Sequence, residues 1–264
     1  MSTVSGIDAI YRVHIGGCYV KENLIRYKAT PTPIFFPASC FLIKTQKQWS
    51  MVDCGYSEGI LKRHWGLAIY RRIMTIEDYQ LDLISAFDKL GITPTDIKTV
   101  YLTHVHPDHI GHLYRFTHAH WIMTEVAYRQ LLRWQRIKPM KEAMIGSIPS
   151  NITTINYSKQ LEIEGISFNA FPLNSEMIAI DLSGHSRQMM GIFFPQKKLI
   201  LAIDANWRKD WMSSEALKRY TFAARMVQNN WQQYQETNQK LSLLSEKGYQ
   251  IELTHDNQSE SRLF

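Results

Sequence analysis

A cluster of metal-ligand residues directly after an apolar, strand-like run constrains this chain more than any other feature. Residues 103–112 read Thr-His-Val-His-Pro-Asp-His-Ile-Gly-His, and they follow the apolar residues 100–102. Four side chains of ligand type fall within six positions: His104, His106, Asp108 and His109. Imidazole nitrogens and carboxylate oxygens bind borderline divalent ions such as zinc. Chance clustering of the ten histidines in an exposed loop is the alternative, and the density of ligands after a strand argues against it. The sequence predicts a metal site here.

The composition indicates an ordinary globular protein and argues against several special classes. With 264 residues, 45% of them hydrophobic and 20% charged, the chain can build a core that does not depend on metal. Its three cysteines show no CxxC spacing, which argues against a disulfide framework or a zinc ribbon. The net charge of +6 comes from scattered basic residues without a nucleic-acid-binding motif, which indicates a mildly basic surface rather than a nucleic-acid site.

The ends of the sequence and its hydropathy bear on localisation. The first residues lack a charged segment followed by an apolar one, and no window approaches eighteen consecutive apolar residues. We therefore expect a cytoplasmic protein without a signal peptide or a membrane span. The oligomeric state stays open.

The remaining patterns predict alternating strands and helices. Thr75 and Asp78 resemble a capping box for a helix that ends at Gly91, and residues 125–135 and 213–247 also have helical patterns. Residues 56–76, apolar and basic without a clear period, are predicted to form either an active-site flap or an ordinary surface segment. Residues 9–20 indicate a strand that runs into a Gly-Gly turn. Further strands are predicted at 98–102, 152–155, 166–171, 177–182, 189–194, 199–203 and 249–253.

Additional ligand-type residues follow three of the later strands: His185, Asp204 and His255. If these strand ends lie at one edge, they join the first cluster and supply five histidines and two carboxylates. One four-coordinate zinc ion needs at most four protein ligands, so seven donors suggest two ions that share a bridge. Asp204 is the natural bridge because a carboxylate has two oxygens. Asp53, at another strand end, is predicted to tie down its loop or to brace a ligand histidine. His118 and His120 lack a third partner nearby and are interpreted as solvent-facing strand residues.

These ligand-type residues together resemble a known pattern. His104-x-His106-x-Asp108-His109, Gly184-His185, Asp204 and His255 match, in order and context, the metallo-β-lactamase-fold hydrolases. Within that superfamily the chain is most similar to the N-acyl homoserine lactone lactonases, through the segments at 53–55, 183–185, 203–205 and 254–256. The resemblance implies an α+β fold, an αββα sandwich of two mixed sheets flanked by helices, as a single domain over residues 1–264.

The resemblance also implies a function. One divalent ion, with zinc the first choice, would be held by His104, His106 and His185, and a second by Asp108, His109 and His255. Asp204 and a hydroxide would bridge them. The hydroxide would open a lactone or a related carboxylic ester, and Asp108 would pass the proton to the leaving group. A small-molecule substrate and a role in quorum quenching follow from the same resemblance.

Two alternatives to lactone hydrolysis remain open at this point. The same site in relatives also cleaves thioesters and phosphodiesters. A non-catalytic binding protein stabilised by metal is the alternative from another class, and the intact ligand set with Asp108 argues against it.

Three departures from the lactonase pattern concern the substrate. The lactonases have a tyrosine three residues after the bridging aspartate, and here that position is Trp207. The family continues Thr-Pro-Gly after the Gly-His pair, whereas this chain has Ser186-Arg187-Gln188 and must fold the loop without that glycine. His112 replaces a residue that is often small. Trp207 and His112 are therefore candidate substrate-binding residues, and a core or pocket-wall position is the alternative for Trp207.

Overall fold

The computed structural model describes residues 6–46, 48–58, 75–77 and 82–264. The chain divides into two compact units. The first lies within Met1–Tyr19, Phe35–Thr154 and Gln258–Phe264, and the second within Val20–Ile34 and Ile155–Asn257. The predicted single domain over 1–264 stays a prediction.

The first sheet has eight strands among the described residues, in the order β14-β1-β2-β3-β5-β6-β7, with β4 paired to β1. Its strands are β1 (Ile7–Lys21), β2 (Pro33–Thr45), β3 (Trp49–Val52), β4 (Thr75–Glu77), β5 (Ile97–Leu102), β6 (His120–Thr124), β7 (Ile152–Ile155) and β14 (Ser261–Arg262). β2 and β3 are antiparallel, whereas β3, β5 and β6 are parallel to one another. β5 is almost completely buried, as its apolar sequence predicts for a central parallel strand. Because β3 and β5 are parallel, Asp53 and Thr103 leave the sheet at the same edge.

The second sheet has six strands, in the order β13-β12-β11-β10-β9-β8, within the described ranges. They are β8 (Lys159–Ile163), β9 (Ile166–Pro172), β10 (Ile178–Asp181), β11 (Met190–Phe194), β12 (Leu199–Ile203) and β13 (Gln250–Leu253). All neighbours are antiparallel except β12 and β13, which are parallel. β10, β12 and β13 therefore run in one direction and end at one edge. Asp204 follows β12 directly, His255 follows β13 after one residue, and His185 follows β10 after a short loop.

Eight α-helices are present in the part of the chain that is described. They are α1 (Glu22–Ile25), α2 (Leu83–Asp88), α3 (Pro107–Ile110), α4 (Glu125–Gln135), α5 (Lys138–Met140), α6 (Ser214–Lys218), α7 (Phe222–Met226) and α8 (Trp231–Glu246). The helical region predicted at 213–247 consists of three helices, and each begins at a polar N-cap: Ser213, Thr221 and Asn230. Leu241 and Leu244 of α8 pack in the hydrophobic core of the second sheet. No helix of the described ranges is long and apolar enough to cross a membrane.

Two local predictions are wrong. The helix predicted to begin at Thr75 begins at Leu83, where Asp82 accepts the N–H of Ile84, and residues 75–77 instead form β4. Thr and Ile are β-branched residues that suit a strand, and β1 offers them a pairing edge. The Gly-Gly turn is also absent, because β1 continues through it to Lys21. Gly17 is needed there for a different reason, since the ring of Phe35 occupies the space of a side chain. The flap predicted at 56–76 falls largely outside the described residues.

Candidate metal centre

The histidine cluster follows β5 of the first sheet and occupies the loop before α3 and the first turn of α3. Pro107 occupies the first helical turn, where its missing N–H costs nothing. His104, Asp108 and His109 are buried, and His106 is half-buried. The Nε2 atom of His104 lies 3.1 Å from the Nδ1 atom of His106. The Nε2 atom of His109 lies 3.4 Å from Oδ2 of Asp108. In each of these two pairs of side chains, the potential ligand atoms therefore lie close together.

Asp53 stabilises this cluster through hydrogen bonds to Thr103 and His109. Its Oδ1 accepts the backbone N–H of Thr103 at 2.9 Å, and its Oδ2 lies 2.7 Å from both the hydroxyl of Thr103 and Nδ1 of His109. Asp53 has a φ of 58°, a left-handed conformation that asparagine and aspartate tolerate better than most residues. Burial raises the pKa of its carboxyl, and the hydrogen bonds from His109 and Thr103 oppose that rise. These contacts confirm that Asp53 braces a histidine of the cluster.

The hydrogen-bond network fixes which ring nitrogen of His104 and His109 carries the proton and which one can bind a metal ion. The hydroxyl of Thr103 has one proton, which it donates to Asp53, so it accepts the Nδ1–H of His104 at 3.0 Å. His109 likewise donates its Nδ1–H to Asp53. Assigned from this network, both rings carry their proton on Nδ1 and present the lone pair of Nε2. This is the arrangement by which proteins orient metal-binding histidines.

His185 is oriented in the same way by a residue that the sequence does not single out. Its Nδ1 lies 2.9 Å from Oε1 of Gln228, whose amide nitrogen donates to the carbonyl of Ala224. That second hydrogen bond fixes the amide orientation, so His185 donates Nδ1–H and presents Nε2. Gln228 follows α7 and is 43 residues away in sequence, and no local pattern marks it. Gly184 allows the close approach, because a side chain there would collide with the backbone of Tyr234 on α8.

Asp204 lies between two histidines of the second unit. Its Oδ2 atom is 3.3 Å from Nε2 of His185 and 3.3 Å from Nε2 of His255. The residue before it, Ile203, has a φ of 56°, which is strained for a β-branched side chain. The left-handed residue turns the chain at the end of β12 and so directs the carboxylate to the histidines.

The loop after His185 contains a left-handed residue that is not glycine. Gln188 occupies that position with a φ of 52°, and its N–H donates to the hydroxyl of Ser183 at 2.9 Å. A non-glycine residue in this conformation costs about 1–2 kcal/mol. The loop therefore has a left-handed backbone at a residue with a side chain, at a cost in stability.

Two sets of side chains could each hold a metal ion, and within each set the ligand atoms lie within 4.8 Å of one another. The sets are His104, His106, His185 and Asp204, and Asp108, His109, Asp204 and His255. All seven residues predicted as ligands belong to them, and Asp204 belongs to both.

The spacing of the ligand atoms fits metal coordination. In a tetrahedral site with metal–ligand bonds of about 2.0–2.1 Å, neighbouring ligand atoms are about 3.3 Å apart. The four pairs described above are 3.1, 3.4, 3.3 and 3.3 Å apart. The donor set, nitrogen and carboxylate oxygen in buried positions, suits a borderline divalent ion.

The other predicted site residues lie outside the two sets. His112 is buried, with its ring 6.1 Å from that of Tyr114. Trp207 is half-buried and stacks on Tyr220 at 5.7 Å. Their roles toward a substrate stay predictions. His118 and His120 lie within hydrogen-bonding distance of the carbonyl of Ile97 and the hydroxyl of Thr153.

Comparison with known proteins identifies the family. The model of the metallo-beta-lactamase superfamily matches residues 33–247, which is most of the chain. The chain therefore belongs to the metallo-beta-lactamase superfamily. It is similar to the N-acyl homoserine lactonase of Bacillus thuringiensis, with 21% identity over 216 residues that cover 79% of this chain and 80% of the relative. The corresponding lactonase of Bacillus cereus is also 21% identical, over 219 residues.

Solved structures agree with this assignment. A mutant of B. thuringiensis AiiA with N-decanoyl-L-homoserine bound at the active site has a TM-score of 0.70 at 19% identity, covering 95% of this chain and 94% of that one. AidC, a dizinc quorum-quenching lactonase, has a TM-score of 0.69 at 13% identity, covering 96% and 92%. At these identities the likeness establishes the fold. The predicted superfamily and the fold class, two mixed sheets flanked by helices, are confirmed.

Proposed function

We propose that the protein is a dinuclear metal hydrolase that opens a lactone or a related carboxylic ester. The observation that carries this proposal is the position of Asp204, which belongs to both ligand sets. One of its oxygens is equally distant, at 3.3 Å, from the Nε2 atoms of His185 and His255, one from each set. A carboxylate placed in this way suits a bridge between two cations.

The side chains of the site have distinct tasks in such a reaction. Two bound divalent ions would supply an activated water and a polarised carbonyl group. His104, His109 and His185 donate their Nδ1 protons to fixed acceptors, so their Nε2 lone pairs would be available to hold the ions. Zinc is the first choice for histidine and carboxylate ligands, and the identity of the metal stays a prediction.

Asp108 is the candidate for proton transfer. It lies in the first turn of α3, is buried, and has Oδ2 3.4 Å from Nε2 of His109. A carboxylate that holds a cation with one oxygen keeps its second oxygen for a proton. Asp108 would take the proton that the attacking water loses and deliver it to the leaving alcohol oxygen, which opens the ring.

The substrate class is supported by the relatives. Those named above are N-acyl homoserine lactonases, and structures of two contain acyl-homoserine ligands. We propose a small-molecule lactone or ester as the substrate and Trp207 as a wall of its pocket. The indole has no hydroxyl to assist a carbonyl, so the preferred lactone need not be that of the relatives. Quorum quenching and a cytoplasmic location stay predictions.

Metal analysis and a substrate panel test the proposal together. We expect about two ions per chain. Among lactones, thioesters and bis-(p-nitrophenyl) phosphate, the lactones should be hydrolysed with the highest kcat/KM. His106→Ala should lose metal and activity together, whereas His118→Ala, an exposed histidine outside both sets, should change neither. A preference for thioesters or phosphodiesters would contradict the substrate class, and a metal-loaded protein without hydrolytic activity would support a binding role instead.

Asp108→Asn separates proton transfer from binding. Since general acid–base catalysis contributes about 10²- to 10⁴-fold, we expect kcat to fall by that factor with a smaller change in KM. Full activity in this variant at full metal content would refute the role of Asp108.

A further inference from the structure

Five large apolar side chains are exposed on the segments that contain α1 and α7. They form what we call the apolar patch: Leu24 (45% exposed), Tyr27 (52%), Phe222 (70%), Met226 (66%) and Val227 (57%). Single exposed apolar residues are ordinary, but a group that includes phenylalanine and methionine at this level of exposure indicates a binding surface.

Hydrogen bonds join the two segments into one surface. The N–H and the hydroxyl of Thr221 donate to the carbonyls of Ile25 and Leu24, at 2.8 and 2.6 Å. The N–H of Phe222 donates to the hydroxyl of Tyr27 at 3.2 Å, and the N–H of Tyr27 donates to the carbonyl of Arg219 at 2.7 Å. The apolar patch is therefore held in place by hydrogen bonds to the backbone of both segments.

The charges around the apolar patch are predominantly positive. Residues 20–30 and 213–228 contain six cationic side chains and two anionic ones, a net charge of +4: Lys21, Arg26, Lys28, Lys218, Arg219 and Arg225 against Glu22 and Glu215. Both carboxylates are already paired, Glu22 with Arg26 at 3.3 Å and Glu215 with Lys218 at 2.9 Å. The complementary surface for this segment is therefore anionic.

We propose that the apolar patch docks the protein onto an anionic lipid bilayer. Phe222, Met226 and Leu24 would enter the boundary between headgroups and acyl chains. Lys28 and Arg219, both exposed, would meet the anionic headgroups. This inference is independent of the hydrolase activity.

Charge and size favour a bilayer over a protein partner. A second copy docked by a two-fold axis would bring a charge of +4 against another of +4, which is unfavourable. A stable protein interface also uses roughly 20–30 residues from each partner, many more than the apolar patch offers. A bilayer instead attracts the whole chain, whose net charge is +6.

Flotation of the full-length protein with lipid vesicles tests the proposal. We expect binding to phosphatidylcholine vesicles that contain phosphatidylserine, weaker binding to phosphatidylcholine alone, and loss of binding at high salt. The double variant Phe222→Ser with Met226→Ser should weaken the partition coefficient by about ten- to hundredfold, because it removes two inserting side chains. Lys28→Glu should weaken it by about fivefold or more.

A matched variant and a second measurement make the result decisive. Leu243→Ser removes a side chain of 42% exposure on α8, outside the apolar patch, and should bind vesicles as the unchanged protein does. Circular dichroism of each variant checks the fold. Absence of binding to anionic vesicles at low salt would overturn the proposal, and so would binding that the double variant does not weaken. Ultracentrifugation that shows a dimer dissociated by Phe222→Ser would assign the apolar patch to a second copy instead.

Discussion

Replacement of Asp53 by asparagine tests how the metal centre is supported. The buried carboxylate accepts three hydrogen bonds of 2.7–2.9 Å, two from Thr103 and one from His109. Asparagine tolerates the left-handed backbone at this position and has nearly the same shape. The change therefore isolates the chemistry of the acceptor from its geometry.

The amide can satisfy only part of this arrangement. If its oxygen faces His109, its NH₂ group opposes the backbone N–H of Thr103; if it is flipped, the NH₂ group opposes His109. Either orientation leaves at least one buried donor facing another donor, which costs about 1–3 kcal/mol of folding stability. In both, His109 loses an anionic acceptor, and loss of such a partner lowers metal affinity by about 10- to 100-fold, or about 1.4–2.7 kcal/mol.

The affinity loss should fall on the set that contains His109. Chelator competition followed by metal analysis should show one ion retained and the other weakened, and urea unfolding of the metal-free protein should show the loss in stability. Asp82→Asn is the matched control, because Asp82 caps an exposed helix end, where asparagine serves equally well. Two ions bound with unchanged affinity in Asp53→Asn would refute the idea that this carboxylate orients His109.

Three further variants test other parts of the structure. Gln228→Leu should weaken by about 10- to 100-fold the set that contains His185, which chelator competition measures, and Gln228→Glu should restore much of it because a carboxylate also accepts Nδ1–H. Gln188→Gly should stabilise the protein by about 1 kcal/mol by relieving the left-handed conformation, visible as a higher Tm; an unchanged or lower Tm would contradict this. Burial lowers the pKa of His14 from 6.5, so the unfolded chain takes up a proton that the folded chain does not, and stability falls as the pH drops below about 6.5. His14→Gln should reduce that fall in urea unfolding of the metal-free protein, whereas the exposed control His118→Gln should not.

The sequence predicts which side chains the structure brings together because each of them follows a strand whose apolar pattern is local. β7 and β12 have the bounds that their apolar runs predict, and α4 spans the predicted residues 125–135. The seven ligand-type residues singled out in the sequence make up both sets of side chains that could hold a metal ion.

The elements and residues that the sequence did not predict depend on tertiary contacts. β4 depends on a free edge of β1, which no pattern within residues 75–77 reveals. β8 was not predicted because its sequence, Lys-Gln-Leu-Glu-Ile, is largely polar and is fixed by pairing with β9. Gln228 has no signal of its own, since its role exists only once the chain has folded against His185. Substrate contacts cannot be predicted from the ligand pattern, because the residues that line a pocket obey no spacing rule.

The Nδ1 hydrogen bonds of His104, His109 and His185 have a consequence for how the protein matures. Their rings are already aligned by Thr103, Asp53 and Gln228, so an arriving cation meets lone pairs that are in place. If the site binds metal ions as proposed, their insertion would follow completion of the fold, and its speed would depend on ion supply and water exchange rather than on refolding.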